Sequence, residues 1–449
     1  MGTRQDAFGL PVTGTAEDVA LWDRAVDDYL GYEGTSALED LVVAAPGLAL
    51  GHALLAWLAT MGDVDEVDAE AELSTAERLV DGASERERAF VATVRAGMDS
   101  PFSAMEATWD GYLRQYPADL VVRFAVAVAV IFFGFRTDLE EVTGRLFTEA
   151  LDVNGRHPFV LSFLGMRAQE MGDLDAAQEY AVEVFAARPG YVPAGHVTTH
   201  VYYERGDHAT GLPWIDGFMR DVMRPGCGYA PHLSWHAGLH ELALDDRAAV
   251  LRRLAMMAGP DASRDWLLSN GASYLWRLKL AGVVPPDEDP SDGTISEQAR
   301  PIAEEPPFLF LGWHAAIGLA CSGDVTGLRT VAAADHTAGP PGVAEVLPSV
   351  AAAFADLLED SPSSAADTLQ RVLAHGGRLG GSRAQREVLE DSLLAALVRA
   401  GRTEEAARVL MRRLDRRSSP SDSLRLAGLT VPMARRGSAQ ADGVSPLPG

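Results

Sequence analysis

The sequence GDLDAAQEYAVEVFAARPGYVPAGHVTTHVYYERGD, residues 172–207, contains the pattern from which the fold of this chain can be predicted. It begins and ends with Gly-Asp, and Pro189-Gly190 divides it into two segments of helix-compatible composition. Glycine suits these positions because the residue that ends a helix commonly adopts a left-handed conformation. The stretch therefore predicts one helix before the Pro-Gly turn and a second helix from Pro193 to Gly206.

The spacing of these breaks predicts an array of similar units. Gly172 and Gly206 are 34 residues apart, which is the period of a tetratricopeptide repeat. Comparable breaks occur at Gly62-Asp63, Gly323-Asp324 and Gly401-Arg402, at wider and irregular spacing. A single helical hairpin cannot bury its apolar stripe alone, so neighbouring hairpins must stack. We predict an all-α, tetratricopeptide-like α-solenoid of stacked helical hairpins, a type of array that can close around a central cavity.

Composition limits the classes of function. The chain has 449 residues, 47% of them hydrophobic, and a formal net charge of −26, which argues against a nucleic-acid-binding surface. The longest uncharged apolar run, residues 124–135, is too short to cross a bilayer, and no signal peptide is visible at the N-terminus. The two cysteines form no CxxC pair, which fits a reducing compartment. We expect a cytoplasmic protein that binds neither nucleic acid nor membrane.

Two segments interrupt the helical pattern and set the expected domain boundaries. Residues 284–307 contain six prolines and seven acidic residues, which predicts a linker or loop. From Ser418 onward Ser, Pro and Gly accumulate without periodicity, which predicts disorder. The expected organisation is an N-terminal extension (1–20), a helical array (21–283), the acidic linker (284–307), a second array (308–417) and a disordered tail (418–449).

Histidines are concentrated in one part of the chain. Six of the eleven lie between His196 and His240. His196 and His200 are four residues apart, and so are His232, His236 and His240, a spacing that stacks side chains on one face of a helix. The sequence therefore predicts two rows of imidazoles on two helices, which could face each other.

Several motifs resemble one family. The string HVYYERGD at residues 200–207, HLSWH at 232–236, LWRL at 275–278 and His314-Ala315 are similar to motifs of the tetratricopeptide repeat protein 38 family. GGSRAQRE at 380–387 resembles that family's GGSHAQRD box, and the resemblance extends from about Leu21 to Leu426. It implies an all-helical, tetratricopeptide-like fold and no established activity. Tyr203, Arg383 and Glu241 stand where the family usually has other residues.

Three functional interpretations are compatible with these residues. Helical-repeat surfaces commonly hold partners, so the leading one is a binding protein that holds a peptide, a protein or a small acidic metabolite on a concave surface lined by His, Arg and Gln. The first alternative is a cofactor-independent hydrolase, lyase or cyclase in which histidines are the general acid and base. The second alternative is a metal site, because four imidazoles at i, i+4 spacing suit zinc and related ions. In a purely structural interpretation each histidine bonds a carbonyl inside its repeat.

The candidate residues follow from these interpretations. Neither a cofactor nor any metal ligand is assigned in the leading interpretation. The candidate catalytic residues are His200, His236, His196, Glu204, Tyr203 and His314. The candidate ligand-binding residues are His232, His240, Arg383, Gln385, Arg386 and Trp235. We predict that helices distant in sequence bring these groups into one cavity.

Overall fold

A short β-hairpin precedes the helices. The structure is a computed structural model, and it describes residues 2–429 except 63, 65–66, 100–101, 135, 225–226, 258–263, 286 and 292. Strands β1 (Gly2–Gln5) and β2 (Pro11–Gly14) pair antiparallel, with Gly2 opposite Gly14. The hairpin occupies most of the predicted N-terminal extension, and the first helix already begins at Ala16.

The rest of the described chain is helical. The helices before the acidic segment are α1 (Ala16–Leu30), α2 (Ser36–Ala44), α3 (Ala49–Met61), α4 (Ala69–Leu79), α5 (Glu85–Asp99), α6 (Phe102–Gln115), α7 (Leu120–Phe132), α8 (Leu139–Asn154), α9 (Pro158–Glu170), α10 (Leu174–Ala187), α11 (Val192–Arg205), α12 (His208–Asp221), α13 (Ala230–Ala243), α14 (Arg247–Met257), α15 (Arg264–Trp266) and α16 (Ser273–Leu280). A π-helical stretch, Leu267–Ala272, joins α15 to α16, and short 3₁₀ turns lie at Val80–Gly82 and Gly376–Leu379. The later helices are α17 (Thr294–Glu304), α18 (Leu309–Cys321), α19 (Val325–Ala333), α20 (Val343–Leu358), α21 (Pro362–Leu373), α22 (Arg383–Arg399) and α23 (Thr403–Arg416).

Consecutive helices pack as antiparallel-hairpin units, which confirms the predicted all-α, tetratricopeptide-like architecture. Helices α9 to α14 each contact the next helix in the chain, and α9 and α13 also contact α11. The breaks fall at the predicted glycines: Gly172 and Gly206 have φ values of 85° and 71°, a conformation that residues with a Cβ rarely adopt. The 34-residue spacing thus corresponds to one helical hairpin.

Helices that are far apart in sequence contact each other. Helix α7 packs against α18, and the rings of Phe132 and Phe310 meet edge to face with centroids 4.9 Å apart. The Arg378 guanidinium donates a hydrogen bond from Nε to the carbonyl of Gly134, at 2.7 Å. Helix α22 lies against α16. Elements more than 100 residues apart in sequence therefore share one core.

Two segments that were predicted to be irregular contain helices. Residues 294–304 form α17, within the predicted acidic linker, because Ile295, Ala299 and Ile302 make an apolar stripe that packs against α18. In the predicted tail, residues 420–429 are helical, and Asp422 forms an ion pair with Arg413, with 3.3 Å between Oδ2 and Nε. Residues 430–449 of that tail lie outside the described part of the chain.

Within the described part of the chain, no helix combines the length and the apolar character needed to span a bilayer.

Candidate functional site

Four histidine side chains from α11 and α13 converge on one point in the core. His196 and His200 lie on one face of α11, and His232 and His236 lie on the facing side of α13. The Nε2 atom of His196 is 3.0 Å from that of His232 and 3.2 Å from that of His236, and the Nε2 atoms of His232 and His236 are 3.2 Å apart. We call these three nitrogens the histidine triangle. The two predicted rows of imidazoles thus meet.

His200 lies beside the triangle. Its Nε2 atom is 3.1 Å from Nε2 of His196, and its ring centroid is 4.4 Å from that of His236. The ligand atoms of His196, His232 and His236 all lie within 4.8 Å of one another, and His200 does not belong to that set. The arrangement is therefore three convergent nitrogens with a fourth imidazole at one edge.

Burial keeps these imidazoles uncharged. His200 and His236 have no exposed surface, and His196 and His232 are only 7% and 3% exposed. Because burial disfavours the charged form, the pKa of His200 falls to about 4 and that of His232 to about 3, and the pKa values of His196 and His236 lie well below the usual range. At neutral pH each ring has one nitrogen with a lone pair.

The second nitrogens of two rings are held by hydrogen bonds. Nδ1 of His232 lies 2.9 Å from Oδ1 of Asn270, so that Nδ1 donates the hydrogen and Nε2 has the lone pair. Nδ1 of His196 lies 3.2 Å from the hydroxyl of Tyr229. Asn270 belongs to the π-helical stretch, a local irregularity that often marks functional sites. Outer hydrogen bonds of this kind fix the ring orientation of metal-binding histidines.

The histidine triangle cannot satisfy its own hydrogen bonds. In a neutral imidazole each Nε2 has either a hydrogen or a lone pair. Among three mutually adjacent nitrogens, at least two are therefore of the same kind, and those two repel each other. The Nδ1 atoms of His200 and His236 are also buried and have no hydrogen-bond partner within the described chain. Buried nitrogens that lack suitable hydrogen-bond partners cost folding free energy.

Arg383, Gln385 and Arg386 lie at the start of α22, and two of them contact Glu170. Glu170 accepts hydrogen bonds from the Arg383 backbone N–H at 3.0 Å and from Nη2 of Arg386 at 3.0 Å. The charge of Glu170 partly opposes the fall in the pKa of His200. The side chain of Gln385 completes the N-terminal capping box of α22 through the backbone N–H of Ser382.

His240 belongs to a different contact. Its Nδ1 atom lies 3.0 Å from Nδ1 of His208, and both rings meet the ring of Tyr203 edge to face, with centroids 5.8 Å apart. Burial lowers the pKa of His240 to about 3 and that of His208 to about 4. Glu241, the next residue, pairs with Arg253 at 2.6 Å.

Tyr203 and Glu204 connect α11 to the last helices. The hydroxyl of Tyr203 donates to Glu387 at 2.8 Å, and Arg417 also donates to that carboxylate at 3.0 Å. We use the name Glu387 cluster for Glu387 and the guanidinium groups that pair with it, Arg413, Arg416 and Arg417. These arginines hold the pKa of Glu387 below its usual range.

Glu204 lies at the edge of the Glu387 cluster. Glu204 is 3% exposed, and its carboxylate lies 3.8 Å from the guanidinium of Arg416 and 3.9 Å from that of Arg383. Burial and the charge of Glu387 raise the pKa of Glu204 to about 7. At neutral pH this carboxyl group is therefore partly protonated.

Trp235 and His314 are both buried in the core. Trp235 stacks on His232, with ring centroids 5.5 Å apart, and donates from Nε1 to Ser273 at 3.2 Å. His314 stacks on Trp313, with centroids 3.6 Å apart, and its Nδ1 donates to the carbonyl of Phe310 at 2.9 Å. The ring contacts of His314 are with Phe310 and Trp313 and not with the histidines of α11 and α13.

A cavity lies beyond Tyr203, between α13, α16, α22 and α23. Its volume is about 880 Å³, and Trp276 and the apolar side chains of α13 and α22 form part of its wall. Seven basic side chains line it, against four carboxylates. The basic residues are Arg247, Arg277, Lys279, Arg399, Arg413, Arg417 and Arg425. Of the predicted site residues, Tyr203 lines this cavity and the four converging histidines do not.

Comparison with known proteins gives little further information. No family model matches the chain, so the resemblance to the tetratricopeptide repeat protein 38 family stays a prediction. A chain in the structure of Naa15/Naa10 bound to HypK-THB is similar at 11% sequence identity and a TM-score of 0.24. The match covers 89% of this chain and spans 63% of that chain. So weak a likeness carries no argument about function.

Proposed function

We propose that this helical-repeat protein binds one divalent transition-metal ion at the histidine triangle, through Nε2 of His196, His232 and His236. The observation that carries the proposal is the mutual separation of 3.0–3.2 Å between the three nitrogens. Ligands about 2.0–2.1 Å from a tetrahedral ion lie roughly 3.3 Å from one another. Small rotations of the rings are enough to convert the observed triangle into one face of a coordination tetrahedron.

The electrostatic state of the rings also supports a metal. Metal ligation requires the unprotonated imidazole, and the lowered pKa values keep all three rings in that form at neutral pH. An ion would accept three lone pairs at once and remove the repulsion between like nitrogens. Imidazole ligands suit zinc, copper, nickel and iron. The sequence alone favoured partner binding over a metal, because spacing does not reveal how closely the rings converge.

The test is a measurement of bound metal. Protein that has been freed of metal and then dialysed against Zn²⁺ should hold one ion per chain, measured by elemental analysis and native mass spectrometry. His232→Leu should reduce the bound ion to background. His314→Leu is the matched control, because it removes another buried imidazole from outside the triangle, and it should retain one ion. An equal metal content in wild type and His232→Leu would contradict the proposal.

A second candidate function is the binding of a small acidic molecule in the cavity beyond Tyr203. Seven basic side chains line this cavity, against four carboxylates, and one of them, Arg247, has only a distant partner in Asp245 at 3.9 Å. Its volume of about 880 Å³ is within the usual range of small-molecule sites. Isothermal titration with citrate should detect binding that Arg247→Gln weakens, whereas Arg156→Gln, a change on the distant surface pair with Glu183, should leave it unchanged. Absence of binding at millimolar citrate would remove this candidate for tricarboxylates.

The other interpretations remain predictions. Peptide or protein binding by Arg383, Gln385 and Arg386 has less support, because each of these side chains bonds to groups within the chain. Acid or base catalysis by His200 without a metal also has less support, because its ring is fully buried and burial lowers its pKa to about 4, below the pH at which a general base works best. The metal centre accounts for more of the geometry than either of these.

A further inference from the structure

The histidine triangle supplies three corners of a tetrahedron and leaves the fourth undetermined. His200 is the obvious candidate for that corner, since its Nε2 atom lies 3.1 Å from Nε2 of His196. It is not, however, within 4.8 Å of all three ligand atoms together. One ion cannot bind two nitrogens that are further apart than about twice a bond of 2.0–2.1 Å. In the observed arrangement His200 therefore lies next to the fourth corner and does not occupy it.

The charges around the triangle indicate what the fourth ligand should be. Three neutral imidazoles leave a divalent ion with its full charge in a buried site, and buried charges require compensation. In the described chain, the hydrogen-bond neighbours of the three triangle rings are Asn270, Tyr229 and other histidines, and none is a carboxylate. Glu170 is itself already paired with Arg386 at 3.0 Å. An exogenous anion can supply the compensating charge.

The size of that ligand is limited by burial. His200, His232 and His236 are almost completely covered, and His196 is the most exposed of the four rings at 7%. The neighbouring Tyr229, whose hydroxyl contacts Nδ1 of His196, is only partly buried. Any approach from solvent along this edge is narrow. The cavity beyond Tyr203 does not reach the triangle, so we expect only a ligand of a few atoms to enter there.

We propose that the fourth coordination position is open and takes a small monoanion, to which Nε2–H of His200 donates a hydrogen bond. This inference rests on the proposed metal centre. It makes the centre one that can exchange a ligand, as catalytic sites do, in contrast to a closed structural site with four protein ligands. His200 is then a positioning residue that holds the exogenous anion, and it is not a metal ligand.

Azide binding to the Co²⁺-loaded protein tests this inference. Wild type should show a saturable change in the visible absorption of Co²⁺ as azide is added. His200→Leu should weaken azide binding about tenfold, the effect of losing one hydrogen bond to a charged group. The Co²⁺ affinity of His200→Leu should stay within about threefold of wild type, whereas loss of a metal-binding histidine should lower it much more. His200→Gln, which keeps an N–H donor, should recover most of the azide affinity.

The outcomes separate the two proposals. If Co²⁺ does not bind, the metal centre is wrong and this inference falls with it. If Co²⁺ binds but azide causes no spectral change, the metal centre stands and the open position is wrong. If His200→Leu lowers Co²⁺ affinity as strongly as His232→Leu does, His200 is a fourth ligand. Circular dichroism of each variant checks that the helices are intact.

Discussion

Two buried polar clusters lie along α11, and they differ in whether their charges and hydrogen-bonding atoms find partners within the chain. In the Glu387 cluster, the carboxylate is paired with guanidinium groups of Arg416 and Arg417 and accepts a hydrogen bond from Tyr203. In the histidine triangle, neutral nitrogens face one another at 3.0–3.2 Å, and no assignment of hydrogens satisfies all three contacts. The central carboxylate of the first cluster finds its partners within the chain, whereas the nitrogens of the second require an additional positive centre.

This difference distinguishes a buried polar cluster that stabilises the fold from one that a ligand can complete. A buried ion pair that is fully compensated fixes the relative position of helices, here α11, α22 and α23. A buried cluster that is not compensated costs free energy unless a ligand completes it. The predictions that follow test the two clusters against each other, beginning with the largest expected effect.

Removal of the central acid should have the largest effect on folding. Glu387→Ala leaves the buried guanidinium of Arg417 without its carboxylate, so the free energy of unfolding should fall by about 3–5 kcal/mol. Urea denaturation measures the change. Glu405→Ala is the control, since it removes a partly exposed carboxylate that pairs with Arg402, the residue before α23, and it should cost far less. Equal losses in the two variants would contradict the assigned structural role of the Glu387 cluster.

The histidine triangle should respond in the opposite way. His236→Leu should change the stability of the metal-free protein by no more than about 1 kcal/mol, because it removes one of the repelling nitrogens. Zn²⁺ at 1,000 times its Kd should stabilise wild type by about 4 kcal/mol, and this gain should disappear in the variant. Thermal and urea denaturation with and without Zn²⁺ measure both the stability of the metal-free protein and the gain on binding Zn²⁺. A large loss of stability in metal-free His236→Leu would indicate that the rings satisfy each other after all.

The hydrogen bond from His232 to Asn270 should tune the affinity of the site. Asn270→Leu removes the acceptor at 2.9 Å that holds Nε2 of His232 toward the triangle. Zn²⁺ affinity should fall about 10- to 100-fold, as is typical for the loss of an outer hydrogen bond at a metal site. Competition with a chromogenic chelator measures the affinity. Asn154→Leu, on the distant helix α8, is the control, and an equal fall in that variant would remove Asn270 from the site.

Acid should destabilise the protein through its buried neutral imidazoles. The pKa of His314 in the fold is lowered to about 3 from its ordinary 6.5, so the unfolded chain takes up the proton first as the pH falls. Stability is therefore complete above about pH 6.5 and declines below it. His314 alone should account for about 1 kcal/mol between pH 7 and pH 5.5. Urea midpoints at both pH values should differ less in His314→Leu than in wild type, and an identical difference would contradict the lowered pKa.

The sequence predicted the helices and the histidine rows for clear physical reasons. The glycines at 172 and 206 and the i, i+4 spacing of His196 and His200 are local signals, and local signals survive in the fold. The helix α17 was missed because its Pro301 and its acidic residues masked the apolar stripe of Ile295, Ala299 and Ile302.

The remaining parts of the candidate site depend on contacts between distant residues. Asn270 reaches His232 from a π-helical stretch, which has no recognisable sequence signal. Glu170 and Arg386 are 216 residues apart, so their pairing depends on how the array closes. His314 matched a family motif together with the other histidines, yet its ring contacts lie elsewhere. Motif similarity placed these residues near the core, but it could not show which of them meet.

X-ray absorption spectroscopy of the Zn²⁺-loaded protein tests the metal centre most directly. We predict a first shell that contains three imidazole nitrogens at about 2.0–2.1 Å and one exogenous ligand atom, with the multiple-scattering signal of histidine. In His232→Leu this shell should be lost. A first shell made mainly of oxygen atoms, or one unchanged by His232→Leu, would show that the ion binds elsewhere and that the histidine triangle is not a metal site.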